Sequence, residues 1–172
     1  MAERKKVQII VGSKEDLPVV QKAREVLERL KVDYYLNIAS AHRTPQRISE
    51  LVASFPERGV AVVIACAGMS AHLAGTISAQ TTLPVIGVPL DSGSLSGIDA
   101  LLSTVQMPGG IPVACMGIGA TGAQNGALLA VEILALSDEG LTERLNQYRQ
   151  ELAGKVLEDD KSIDRTLRKV GL

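Results

Sequence analysis

A chain of 172 residues is one domain's worth, long enough to bury a substantial core. Hydrophobic residues make up 46% of it but aromatics only 2%, so the core has to be built from Val, Ile, Leu and Ala, and stacking platforms for nucleic-acid bases are missing. A net charge of −1 offers no basic field to attract nucleic acid or a membrane surface.

The N-terminus, Met1-Ala2-Glu3-Arg4-Lys5-Lys6, is charged and runs straight into a short β-rich stretch, Lys6–Val11. It has no signal-peptide apolar region, and no unbroken apolar run of about 18 residues follows, so the expectation is a cytoplasmic protein without a membrane partner. Gly12-Ser13 ends the first strand as a strand-to-helix turn. Val20, Ala23, Val26, Leu27 and Leu30 then recur at helical spacing and predict an amphipathic helix of about four turns. Tyr34–Ala39 reads as the second strand. Thr44 is placed to cap the next helix, with Pro45 at its first position, where a missing N–H costs nothing. Ile48, Leu51, Val52 and Phe55 supply that helix's buried face. Val60–Ala65 is continuously apolar, as expected of a strand covered on both faces.

Gly68 to Ala79 reads as a glycine-rich turn and a helix, and Pro84–Val88 as the fourth strand. Ser96 is expected to cap a helix carrying Ile98, Leu101, Leu102 and Val105, with Asp99 near its positive end. Pro112–Cys115 makes a short fifth strand, and 119–136 an alanine-rich helix. Ser137 starts a last helix with Leu141, Leu145, Tyr148 and Leu152 on one face, followed by a charged tail from Gly154. Cys66 and Cys115 lie in apolar runs without metal-ligand spacing, and read as buried structural thiols. Strands alternating with helices predict a flavodoxin-like, doubly wound parallel sheet in three α/β/α layers. The whole chain is expected to be one domain, with a core over about 6–136 and a C-terminal helix and tail over 137–172.

In that topology ligands bind beyond the carboxyl ends of the strands. Three such ends are Gly12-Ser13, Ser40-Ala41-His42-Arg43 and Ala67-Gly68-Met69-Ser70-Ala71-His72. Both histidines of the chain therefore fall on one rim. Histidine moves protons at neutral pH, and the arginine fork suits phosphate or carboxylate. Ser13, with backbone N–H groups of its loop, can hold a phosphate, although an ordinary βα loop reads equally well there. Asp16 can accept hydrogen bonds from ribose hydroxyls, whereas Glu15 is awkward beside a phosphate. Ser40 and Arg43 both donate to anionic oxygens. His42 can cap a helix, but its place beside Ser40 and Arg43 favours chemistry. His72 serves equally as a helix-start residue or as a ligand contact. Two histidines without a carboxylate cluster make a poor metal site. From Gly59 to Val131 the only charged residues are Asp91 and Asp99, which points to surface covered by other subunits.

Several segments together resemble one family. They are Gly12-Ser13 with Asp16, Ser40-Ala41-His42-Arg43-Thr44-Pro45, Ala67-Gly68 with Ala71-His72-Leu73, Pro84-Val85-Ile86-Gly87-Val88-Pro89, Gly97-Ile98-Asp99 and the run from Leu101 to Val113. They resemble the PurE family of purine biosynthesis in its class I form, the N5-carboxyaminoimidazole ribonucleotide mutases, from about Val7 to about Leu152. The resemblance implies a flavodoxin-like subunit in a homo-octamer, with sites where subunits meet. It also implies a ribonucleotide substrate and CO2, and no metal or organic cofactor. His42 matches the general acid/base. Ser13, Asp16, Ser40 and Arg43 match the binders of phosphate and ribose, and Gly68, His72 and Leu73 the loop lining the base and CO2 pocket. The chain departs from the family at Glu15, where many members have Ser, and at Met69-Ser70, which stands for a Gly-Ala type pair. Two rival readings remain at this point. One is the class II carboxylase, which uses free CO2 and usually has Lys after the histidine. The other is a non-catalytic nucleotide-binding module on the same sheet.

Overall fold

The computed structural model describes residues 6–170. Five strands, β1 (Lys6–Val11), β2 (Tyr34–Ile38), β3 (Val60–Gly68), β4 (Val85–Leu90) and β5 (Ala114–Cys115), form one sheet in the order β2-β1-β3-β4-β5. Every pairing is parallel, with Val11 opposite Ile38 on one side and opposite Cys66 on the other. This is the flavodoxin-like order, whose direction of travel reverses between β1 and β3.

The reversal explains the layers. Right-handed crossovers to opposite sides of β1 put their helices on opposite faces of the sheet. The crossover to β2 uses α1 (Leu17–Arg29), and those to β3, β4 and β5 use α2 (Pro45–Ala53), α3 (Leu73–Ser78) and α4 (Ile98–Val105). One core cluster accordingly joins Ile48, Leu51, Val52 and Phe55 with Leu73, Ala74 and Ile77, all packed on Ile10, Val63 and Ala65 of the strands. Each large side chain buried there contributes roughly 1.5–3 kcal/mol. Gly87 of β4 faces Ala74 and Thr104 on this side, while Ile86 and Val88 face Gly126 of α5 (Gly119–Ala135) on the other. α1 buries Val20, Ala23, Val26 and Leu27.

The predicted helices and strands form with small changes of boundary. Pro45 does open α2 after Thr44. The Thr44 hydroxyl, however, turns back to Ser40 and leaves the helix end uncapped by a side chain. Ser96 is not the cap of α4. Gly97 holds that position at φ 84°, a left-handed conformation that glycine adopts without penalty, and Ile118 and the Leu90 carbonyl leave no room for a side chain. The face of α4 turned to the sheet is the small one, Ala100 and Thr104, and Ile98, Leu102 and Val105 are each about half exposed. Apolar periodicity gives the stripe but not its direction.

The chain divides into two compact units, the first ending at Leu134 and the second starting at Ala135. The second consists mainly of α6 (Glu139–Val170). Leu141, Leu145 and Tyr148 are buried on one face of α6, as expected, whereas Leu152 is 42% exposed. The charged stretch beyond Gly154 continues the helix. No helix among the described residues is long and apolar enough to cross a membrane.

Candidate active site

At the end of β1 the Gly12 N–H donates to the Cys66 carbonyl at 3.2 Å, tying the β1 and β3 ends together. A single 3-10 turn, Lys14–Asp16, follows. It exists because the Asp16 carboxylate turns back to accept the Ser13 N–H at 2.9 Å. The nearby Glu15 backbone N–H and Ser13 hydroxyl, helped by the charges of Arg43 and Lys14, hold the Glu15 carboxyl below the ordinary carboxylate range.

The loop after β2 is closed on itself. The Ser40 N–H donates to the Thr44 hydroxyl oxygen at 2.8 Å, the Thr44 N–H to the Ser40 carbonyl at 2.9 Å, and the Arg43 N–H to Ser40 Oγ at 3.2 Å. His42 sits at the tip of this clamp. The Arg43 guanidinium crosses to the first loop, donating to the Gly12 carbonyl at 3.3 Å and, more weakly, to Ser40 Oγ at 3.5 Å.

β3 runs to Gly68, past the expected end at Ala65. A Cβ at Gly68 would overlap the side chain of Ser92, so only glycine lets the β4–α4 loop approach this closely. Met69 then takes φ 57°, a strained value for a side chain of its size. The His72 N–H donates to the Ser70 carbonyl at 2.8 Å, and α3 begins at Leu73. The turn carries the His72 ring over to His42, with His42 Nε2 2.8 Å from His72 Nδ1.

Ser13, Asp16, Ser40, His42, Arg43, Gly68, His72 and Leu73 all line one cavity of about 650 Å³. Every site residue expected from sequence is thus brought to the same place. His42, Arg43 and His72 are exposed, so the cavity is open on one side in the single chain. A larger cavity of about 1360 Å³, lined by Phe55, Val60, Val85 and Ile111 among others, has no titratable side chain and offers no proton chemistry. Sequence reasoning missed Ser92. The signal was present: Ser92 follows the carboxyl end of β4, and the rule used for three strand ends applies to the fourth.

Both imidazoles can donate or accept, and Arg43 with the two serines supplies anion donors beside them. The arrangement can therefore hold an anion at one end and move a proton at the other. The AIR carboxylase family pattern matches residues 6–155. The chain belongs to the AIR carboxylase family. Among curated members, the N5-carboxyaminoimidazole ribonucleotide mutase of Pyrococcus abyssi is 52% identical over 147 residues, 86% of this chain and 83% of the relative. The enzyme of the same name from Escherichia coli K12 is 48% identical over 154 residues, 90% of this chain and 91% of the relative. Among solved structures, that of Treponema denticola PurE superposes with a TM-score of 0.83 at 29% identity, over 92% of this chain and 98% of the other. The AIR carboxylase fold of this chain is thus the flavodoxin-like sheet expected from its sequence.

Proposed function

We propose that this chain is an isomerase of purine biosynthesis, converting N5-carboxyaminoimidazole ribonucleotide to 4-carboxy-5-aminoimidazole ribonucleotide, with His42 as general acid/base. The observation that carries the reading is the meeting of both histidines, Arg43 and the two serines on one cavity. The mutase name of relatives about half identical to this chain supports it.

In this mechanism Arg43, Ser40 and Ser13 hold the phosphate and Asp16 the ribose, while Gly68, His72 and Leu73 wall the base and CO2. The C–N bond of the carbamate breaks, CO2 leaves, and the exocyclic nitrogen gains a proton. C4 of the resulting aminoimidazole then attacks the same CO2, and loss of the C4 proton restores the aromatic ring. One proton is gained at nitrogen and one lost at carbon, so a single imidazole can carry both transfers without net consumption. Trapped CO2 acts at high effective concentration, which requires a closed pocket.

The cavity is open in the single chain, and closure is the task we assign to neighbouring copies in a homo-octamer. The half-exposed Ile98, Leu102 and Val105 and the nearly uncharged stretch from Gly59 to Val131 support an assembly that covers them. A cytoplasmic location follows from the pathway. The reading requires no metal or organic cofactor, since every bond change is a proton or CO2 transfer.

The deciding experiment uses substrate carrying 13C in the carbamate carboxyl, in buffer containing unlabelled bicarbonate. Retention of label at the C4 carboxylate supports the mutase. Loss of label, with aminoimidazole ribonucleotide plus CO2 serving equally well, assigns the class II carboxylase reaction. No turnover of either substrate leaves a nucleotide-binding module.

A further inference from the structure

We infer that Met69 is the apolar cover that keeps CO2 at the base end of the cavity between its release and its recapture. The inference rests on the isomerase reading above and deepens it. Two successive residues of the β3–α3 turn meet two successive residues of the β4–α4 loop. Gly68 lies against Ser92, and Met69 Cγ lies beside Gly93, 3.5 Å from where a Cβ on that glycine would stand. Met69 adopts φ 57° and Gly93 φ 86°. A left-handed backbone costs a methionine free energy that a glycine avoids. Met69 is also 60% exposed, so the chain keeps both strain and bare apolar surface at one residue of the cavity wall.

Among the described residues lining the cavity, only Met69 and Leu73 are large and apolar; the others are glycines, alanines, serines, histidines and charged side chains. Leu73 is 2% exposed and forms the inner wall, whereas the exposed Met69 stands toward the open side. CO2 has neither net charge nor dipole, and a wall of serines and imidazoles holds water better than it holds CO2. A thioether on a flexible, unbranched chain offers water no strong hydrogen bond and can bend to cover a flat base. Strain of this kind persists where the surroundings fix it, and here the Gly68–Ser92 contact and Gly93 hold the turn. Covering the base end leaves the phosphate contacts untouched and decides whether CO2 is recaptured or escapes. The signature is therefore in the fate of CO2 more than in the KM for nucleotide.

The test follows 13C from the carbamate carboxyl, in buffer with unlabelled bicarbonate, through wild type, Met69→Leu, Met69→Asn and Met69→Gly in the full chain, as it assembles. Asn and Gly accept a left-handed backbone, so folding is not at risk, and both remove the apolar cover. Label lost per turnover should rise roughly tenfold in both, the lower end of what one methylene of an apolar pocket is worth, and aminoimidazole ribonucleotide should accumulate. Met69→Leu should retain label like wild type, and nucleotide KM should change little throughout. Light scattering should give the same assembly for all four proteins. Wild-type label retention in Met69→Gly and Met69→Asn overturns the role, as does dissociation of the assembly in those two variants, which would make Met69 a subunit contact. Loss of label by wild type itself rejects the mutase reading alone: the two variants must then raise the KM for dissolved CO2, and an unchanged KM overturns the inference. If wild type turns over neither substrate, the nucleotide reading and the inference fall together.

Discussion

His42 and His72 meet edge to face, with ring planes at 73° and Nε2 of one 2.8 Å from Nδ1 of the other. A bond between two imidazole nitrogens requires that one carries a hydrogen and the other does not. The pair, drawn from loops 30 residues apart, is therefore a ready-made donor and acceptor at the cavity wall.

Replacing His42 removes the group assigned to both proton transfers. His42→Asn should lower kcat by roughly 10²–10⁴-fold while product binding, read by calorimetry, persists. Turnover near that of wild type would remove His42 from the mechanism. His72→Asn should cost less, because its partner remains able to accept and donate.

Arg43 lies on the phosphate side of the cavity. Arg43→Ala should raise KM by roughly tenfold to a hundredfold, the value of a charge-assisted hydrogen bond of about 1.5–3 kcal/mol. Steady-state kinetics at fixed ionic strength would check this. An intact KM with abolished kcat would move Arg43 from binding to chemistry.

The contact between Gly68 and Ser92 is testable as a pair. Gly68→Ala forces the β4–α4 loop off the cavity and should cost roughly 1–3 kcal/mol of stability, read by denaturant unfolding. Ser92→Gly in the same chain should recover most of that loss. A double variant no more stable than Gly68→Ala would mean that the strain lies elsewhere.

Burial pushes the Cys66 thiol far above its ordinary titration range, and the half-buried Cys115 is raised as well. The thiolate is the reactive form, so raising the pKa lowers reactivity at neutral pH. A thiol reagent should label Cys115 first and reach Cys66 only through unfolding. Mass spectrometry of alkylated peptides over time gives the order, and faster labelling of Cys66 would contradict its burial.

The outward face of α4 should be buried between copies. Light scattering at micromolar concentration should give an assembly, and Leu102→Glu should shift it toward smaller species. A monomeric wild type would contradict the octamer.

Sheet order and the rim of the site were legible in the sequence because both depend on periodicity and chain order. Continuous apolar runs such as 60–65 mark two-sided strands, and strand ends are then fixed by the residues that follow. What escaped depends on three-dimensional approach. The small face of α4, not its apolar one, meets the sheet, and Gly87 makes the room in which Thr104 packs beside Val113 and Ala74. The left-handed turn at Gly97 displaced the cap from Ser96 for the same reason. Ser92 reaches the cavity across Gly68, and the Thr44 hydroxyl prefers Ser40 to the end of its own helix. None of these partners is close enough in sequence to reveal itself by spacing, except Ser40 and Thr44, where two local bonds compete.

That competition has a consequence for timing. The Ser40–Thr44 clamp closes through bonds within a few residues, so it forms with the chain itself and needs no ligand. The conformational entropy of fixing the His42 backbone is lost once, at folding, and does not recur with each catalytic cycle.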